Sequence, residues 1–344
     1  MNQEVLLKKL GHYLTKMEIE GIFNRRDKIV KFFDTYNRRD QMSCIRRQWL
    51  RKTWLAVGTL LLLVSNCSGG LAQGLLGQKA SEDEKSSLKQ SGTVSVALSR
   101  PQMEQFLLTA RVVQQKPLSV GVTNSQRAIL DDGKLKHDAH IQTVDISKTS
   151  FETVRGTEFN FRDSYKYNMA AYELDKLLDL NMVPPSVERK VGGHAAAVTW
   201  WVDDSMLELD RKKKKIEPPD QPHWNQQMYD CRVFDQLICN TDRNLGNLLI
   251  TKDWKVWMID HTRAFRMMKN LGNPKNLVQC DRKLLAKLRD LNKDKLQETL
   301  GRYLTRMEIE GLLARRDLIV KFFDDQVAQK GEAPVLFDLD RSKF

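Results

Sequence analysis

Hydrophobic and polar positions change their spacing several times along the chain. Between residues 118 and 202 apolar residues come mostly in short runs closed by turn residues, the pattern of strands: 119–123, 127–130, 140–146 and 158–161. Asn124-Ser125 and Asp131-Asp132-Gly133 supply the turns. A helical period precedes this block at 101–111, where Pro101 opens a turn and Met103, Phe106 and Leu107 share one side. It returns at 167–180, with Met169, Tyr172, Leu174, Leu177 and Leu178 as the apolar set and Pro184-Pro185 as the stop. Residues 186–191 and 195–202 flank Gly192-Gly193 and read as a hairpin. The helix predicted at 224–239 buries Met228, Val233, Phe234, Leu237 and Ile238. From 281 onward the pattern is helical, with Leu284, Leu285, Leu288 and Leu291 on one face, until an extended stretch at 333–337. This order predicts an α+β chain with a small β-rich lobe at 99–202, a mainly helical lobe at 203–327 and a tail at 328–344.

The first part of the chain follows other rules. Residues 10–34 repeat 300–324, including Thr15…Glu18 for Thr305…Glu308, a capping box in both places. Two copies so far apart do not make a solenoid. At Met42 a basic stretch containing Arg46, Arg47, Arg51 and Lys52 leads into the apolar run 54–64 and then small residues to Ala72. That pattern predicts a cleaved export signal at 42–72, ranked above a single-pass membrane anchor over 53–72. It gives an exported, periplasmic or extracellular protein, or a membrane-anchored one. Residues 1–41 are then expected to be an N-terminal extension copied from the C-terminal helix, with initiation at Met42. Residues 73–98 are small and polar, a flexible linker.

Composition narrows the partners. The chain has 344 residues, 41% hydrophobic and 29% charged, which is globular and long enough for one two-lobed domain or two ordinary ones. A formal net charge of +12 calls for an anionic partner: a nucleotide, a phospholipid surface or nucleic acid. The basic run at 211–215 lacks interleaved aromatics and runs into Pro218-Pro219, so it is expected to be a solvated loop, and nucleic acid ranks last. Five cysteines without a CxxC pair argue against zinc. Cys231 and Cys239 share one predicted helix at a separation of roughly 12 Å, beyond disulfide reach, and read as buried apolar residues.

Chemistry concentrates at 240–260. Asp242 and Asn247 precede a short apolar strand, a turn at Thr251-Lys252-Asp253, and a second strand ending on Asp260. Two hard oxygen ligands on neighbouring strand ends can meet a hydrated Mg²⁺, with the hairpin setting their separation. Kinase-type phosphoryl transfer uses such a set, one carboxylate for the acceptor hydroxyl and further oxygens for the metal. Asp242-Arg243-Asn244-Leu245-Gly246-Asn247 with Ile259-Asp260 resembles the signature of the phosphatidylinositol 3-/4-kinase superfamily, and is similar to that of HipA-type and secretory-pathway kinases. Ala170-Ala171-Tyr172, Leu177-Leu178 and Val183-Pro184 resemble the helix-to-strand segment of the same group.

The resemblance spans residues 117–265 and implies a two-lobed protein-kinase-like fold, with ATP and Mg²⁺ between the lobes. The acceptor would be a hydroxyl, of protein first and of lipid or a small molecule second. Asp242 would be the catalytic carboxylate, Arg243 would neutralise charge at the transferred phosphoryl group, and Asn247 and Asp260 would hold metal. For the phosphate grip, Arg162 comes first and Lys148 second; Glu173 is the nearby acid, because the helix position expected to carry one is Asn168. No glycine-rich loop surrounds Gly121, and His261-Thr262 stands where Phe-Gly follows the Asp in protein kinases. These departures sustain a second expectation, a silent pseudokinase serving as an exported or membrane-anchored binding module. The plainer alternative is that Asp242 and Asn247 only shape a loop. His137 and His140 are expected to alternate on a strand edge. Trp200-Trp201 fits an adenine slot or a core.

Overall fold

The computed structural model describes residues 98–118, 125–153 and 156–341. The predicted extension, export signal or anchor, nearly all of the linker and the strand at 119–123 lie outside the described residues. The described residues belong to a unit running from Thr93 to Phe344, mixed α+β with its β-rich part first. None of its described helices is long and apolar enough to cross a membrane.

Helix α1 (Arg100–Thr109) starts at a capping box in which Gln102 accepts the backbone N–H of Ser99 at 2.8 Å. It lays Phe106 and Leu107 against an antiparallel sheet of β1 (Arg111–Pro117), β2 (Gln126–Asp131), β3 (Lys136–Gln142), β6 (Ser186–Val191) and β7 (His194–Trp200). The sheet order is β1-β2-β3-β7-β6. At the β6–β7 turn, Gly192 and Gly193 take φ of 58° and 84°, which side chains resist, so the Gly-Gly hairpin forms as expected. The single strand expected at 140–146 is two strands. β3 ends at Gln142, and β4 (Asp145–Thr153) departs to form a separate hairpin with β5 (Gly156–Ser164). A period of two does not register a corner when Ile141, Val144 and Ile146 sustain an apolar run across it.

Helix α2 (Lys166–Leu178) ends on left-handed Asp179. Its buried Asp175 accepts from the backbone N–H groups of Met182 and Val183 at 2.8 and 3.0 Å, and pairs with Arg100 at 2.7 Å. Those bonds fix the chain's exit toward β6. Although α2 lies among the strands in sequence, Tyr167, Ala171, Tyr172 and Leu174 join the core of the helical part.

That second part begins with β8 (Ser205–Leu207) and the short helix α3 (Glu208–Lys213). Here the basic run differs from the expected solvated loop. Arg211 is only 5% exposed and forms a two-pronged pair with Glu208 at 2.6 and 2.9 Å, while Lys212 to Lys215 stay exposed. Helix α4 (Gln221–Ile238) is capped by Asp220, which accepts from His223 N–H at 2.9 Å. It leads through the candidate loop into β9 (Leu248–Thr251) and β10 (Val256–Met258), which form a sheet in the order β10-β9-β8.

Helices α5 (Arg282–Asp290), α6 (Lys293–Leu300) and α7 (Arg306–Lys330) complete the core. The capping box predicted at Thr305 and Glu308 is present. The extended stretch at 333–337 has a use: β12 (Leu336–Phe337) pairs parallel to β11 (Cys280–Asp281), and Arg341 bridges Asp230 and Asp281 at 2.7 and 2.6 Å. Cys231, Cys239 and Cys280 are buried free thiols.

Candidate functional site

Helix α4 closes on Cys239 in the left-handed region, which turns the chain back beneath the helix end. Asn240 caps the next step, accepting Asp242 N–H at 3.0 Å and donating to Asp235 at 3.0 Å. Asn244 accepts Gly246 N–H at 2.8 Å and opens a single 3₁₀ turn, Leu245–Asn247. The Asn247 amide nitrogen donates to the Asp242 carbonyl at 2.9 Å. That bond sets the amide's orientation and turns Oδ1, the atom expected to meet a metal, the other way. The Asp242 side chain is 45% exposed, with its nearest cation Arg263 at 3.9 Å. Asp242 is thus open to solvent while Asn247 is held from behind.

Arg243 accounts for this order, and its role differs from the charge-neutralising one implied by the resemblance. Nε and Nη2 grip the Asp235 carboxylate at 3.0 to 3.2 Å. Nη1 donates to the carbonyls of Asn247 and Ile259 at 2.6 and 2.8 Å, and Nη2 also donates to His261 Nε2 at 3.0 Å. All five N–H groups are spent, leaving none for a phosphoryl group. Burial and the Arg243 charge hold His261 well below the ordinary histidine range. It stays neutral, with Nε2 accepting and the proton on Nδ1. Arg243 therefore ties α4, the loop and the end of β10 into one block.

Asp260 follows β10 with φ of 54° and accepts from the Thr262 hydroxyl at 3.0 Å. The next peptide is anchored from α2, where Asn168 Oδ1 accepts His261 N–H at 2.8 Å. Asn168, at the helix position where an acid is expected, thus serves as a scaffold. From the other side the end of β5 arrives: Ser164 N–H donates to the Thr262 carbonyl at 2.9 Å. This brings the buried Asp163 beside Thr262, Asp260 and Arg263, the last at 3.6 Å. Burial and then the neighbouring Asp260 work to raise the Asp163 pKa, against Thr262, Arg263 and Arg266. His140, from β3, also feels the Asp260 charge, though burial keeps it below the ordinary histidine range.

The expected phosphate grip is arranged differently. Arg162 points to the face of β5 opposite Phe161 and Asp163, and pairs with Glu308 of α7 at 2.9 Å. Glu173 pairs with Lys176 at 3.0 Å, one turn along α2. Lys148 is exposed, opposite Phe161 in the hairpin register, with its ammonium 4.9 Å from the Phe151 ring centre. In protein kinases the phosphate-binding lysine lies on the third strand. Here β3 ends on buried Gln142, hydrogen-bonded to Ser125 at 2.5 Å. The aromatic pair divides: His137 stacks on Trp200 at 3.6 Å, and Arg127 lies 4.1 Å over Trp201. No group of three or more His, Cys, Asp or Glu side chains among the described residues is arranged to hold a metal unaided. Asn247, Asp260 and phosphate oxygens together fit Mg²⁺, which keeps waters and takes few carboxylates.

No protein-family model and no curated protein matches the chain. Among solved structures, it is similar to a Golgi casein kinase at 13% identity and a TM-score of 0.49, over 69% of this chain and 77% of that one. A structure of the Golgi casein kinase with Mn/ADP bound gives 14% identity, a TM-score of 0.49, and 69% and 78% coverage. A Helicobacter pylori proinflammatory kinase, CtkA, gives 11%, 0.39, and 62% and 92%.

Asp163 and Arg263 at this site, and Gln142 at the end of β3, are groups that the sequence pattern did not single out. Asp163 lies in an unremarkable Arg-Asp-Ser run, and its partners come from far along the chain. Arg263, three residues past Asp260, carried a positional hint; Gln142 needed the strand corner to be recognised.

Proposed function

We propose that this chain is a kinase-like phosphotransferase, binding ATP with Mg²⁺ where the end of β5 meets the 242–263 segment, and passing the γ-phosphoryl group to a hydroxyl, of protein in the first place. The observation that carries this is the Asn247 amide, oriented by the Asp242 carbonyl so that its oxygen is free for a cation beside an open carboxylate. Asp242 orients the acceptor hydroxyl and takes its proton as the new O–P bond forms and ADP leaves. Asn247 and Asp260 would hold the metal, whose charge stabilises the transferring phosphoryl group. Arg243 acts through position alone. The narrower kinship with phosphatidylinositol and HipA-type kinases, the lobes at 99–202 and 203–327, and export through 42–72 belong to the same proposal.

The test is a thermal-unfolding titration with ATP, with and without Mg²⁺, followed by transfer of labelled phosphate to protein acceptors. A Mg²⁺-dependent rise in Tm that Asp260→Ala abolishes, together with transfer that Asp242→Asn abolishes, is the expected result. The absence of any Mg²⁺–ATP shift in the unsubstituted chain would overturn the proposal. A second reading has its own support in buried Gln142, which occupies the end of the strand from which kinases extend a lysine. Nucleotide binding without phosphate transfer would favour that silent module.

A further inference from the structure

Asp163 is not needed by the fold in any evident way and is costly where it stands. It is 6% exposed, at the end of β5, and its Oδ1 is buried with no hydrogen-bond partner. A buried carboxylate oxygen without a partner is costly, so native chains rarely leave one. The other oxygen, Oδ2, lies 3.6 Å from Arg263 Nε, an ion pair too long for a hydrogen bond. Thr262 contacts both Asp163 and Asp260, yet its hydroxyl carries one proton, and that proton goes to Asp260 Oδ1 at 3.0 Å. Two carboxylates therefore face each other across one hydroxyl, and local donors do not saturate them.

A divalent cation would satisfy both. Within the nucleotide–metal reading given above, we propose that Asp163 is a further metal ligand, placing a second carboxylate from the end of β5 on the ion held by Asp260 and Asn247. Two features support this assignment. The strand end is fixed to the metal loop by the Ser164–Thr262 backbone bond, so Asp163 cannot swing away without breaking it. On α2, the Asn168 oxygen is already taken by His261 N–H, so it does not compete for the ion. Hard oxygen donors of this kind select Mg²⁺ or Mn²⁺.

Mn²⁺ binding to the full chain, read by electron paramagnetic resonance of the free ion with and without ADP, tests this without any turnover. The unsubstituted chain should bind Mn²⁺, more tightly with ADP. Asp163→Asn, close to isosteric, should weaken that binding about tenfold or more, on the scale known for metal-site substitutions. Metal-free Tm should change little, because Oδ1 has no hydrogen bond to lose and the Arg263 pair is long. Asp163→Glu, which keeps a carboxylate, should recover part of the affinity, and serves as the probe if the Asn variant does not fold. Unchanged Mn²⁺ affinity in Asp163→Asn, alongside loss in Asp260→Asn, overturns the Asp163 assignment and leaves the nucleotide site standing. No Mn²⁺ binding by the unsubstituted chain, with or without ADP, overturns both.

Discussion

The two sides of the candidate cleft are built with very different redundancy. On the helical side nearly every polar atom is held more than once: Asp235 receives Asn240 and Arg243, and Arg243 in turn holds two carbonyls and His261. On the sheet side the groups are few and loosely tied. Lys148 is exposed, Gln142 closes β3 without a charge, and Asp163 keeps an unpartnered oxygen. The Asp-Asn-Asp geometry is thus maintained by a half-buried arginine, whereas among the described residues the sheet side has no comparable framework. A signature residue can therefore serve the scaffold as much as the reaction.

Breaking the rigid side should have the largest effect. Arg243→Ala leaves Asp235 buried without its charge partner and frees two carbonyls, and should cost about 3–5 kcal/mol in denaturant unfolding. Arg243→Lys should recover little, since an ammonium cannot reproduce the planar fork. A loss under about 1 kcal/mol for the Ala variant would show the clamp to be dispensable.

Adding to the sparse side should have a smaller effect with two opposed parts. Gln142→Lys places a charge in a buried position and should lower metal-free stability by roughly 1–3 kcal/mol. If the missing cation is what limits phosphate binding, the Mg²⁺–ATP shift in Tm should grow in the same variant. A shrunken shift would mean that phosphate is gripped elsewhere.

The smallest effect is expected far from both sides. Lys252 pairs with Asp204 at 2.8 Å, but both side chains are more than 70% exposed. Lys252→Ala should change stability by no more than about 1 kcal/mol, and less at high salt. A larger change would mean that the β8–β9 sheet edge contributes to cleft rigidity.

Much of this arrangement was legible in the sequence because it is local. Helical spacing located α2, α4 and α5, Gly192-Gly193 marked its hairpin, and the Thr305…Glu308 cap was written in residues three apart. The corner at Thr143-Val144 was hidden because the apolar run continues through it. Arg211 was hidden because a run of basic residues does not show which one turns inward onto Glu208. At the site, the sequence located the loop and its candidate oxygen ligands, but neither the commitment of Arg243 nor the arrival of Asp163. Both depend on contacts between distant parts of the chain, which no local pattern encodes.

Helix α7 buries Glu308, Ile309, Gly311, Leu312, Arg315, Ile319 and Phe323. Arg315 inserts among the carbonyls of Leu237, Arg266 and Met268, and Glu308 accepts from Tyr167 at 2.5 Å. The repeat near the start of the sequence preserves that set as Glu18, Ile19, Gly21, Ile22, Arg25, Ile29 and Phe33, with Leu312 to Ile22 the one change. The differences fall at positions such as Leu318, where the other copy has Lys28, and Leu318 is exposed. In the language of recognition, the groove that receives α7 is degenerate within its own chain. Its buried contacts specify a short word that the sequence spells twice, with Leu312 against Ile22 the one buried letter that differs.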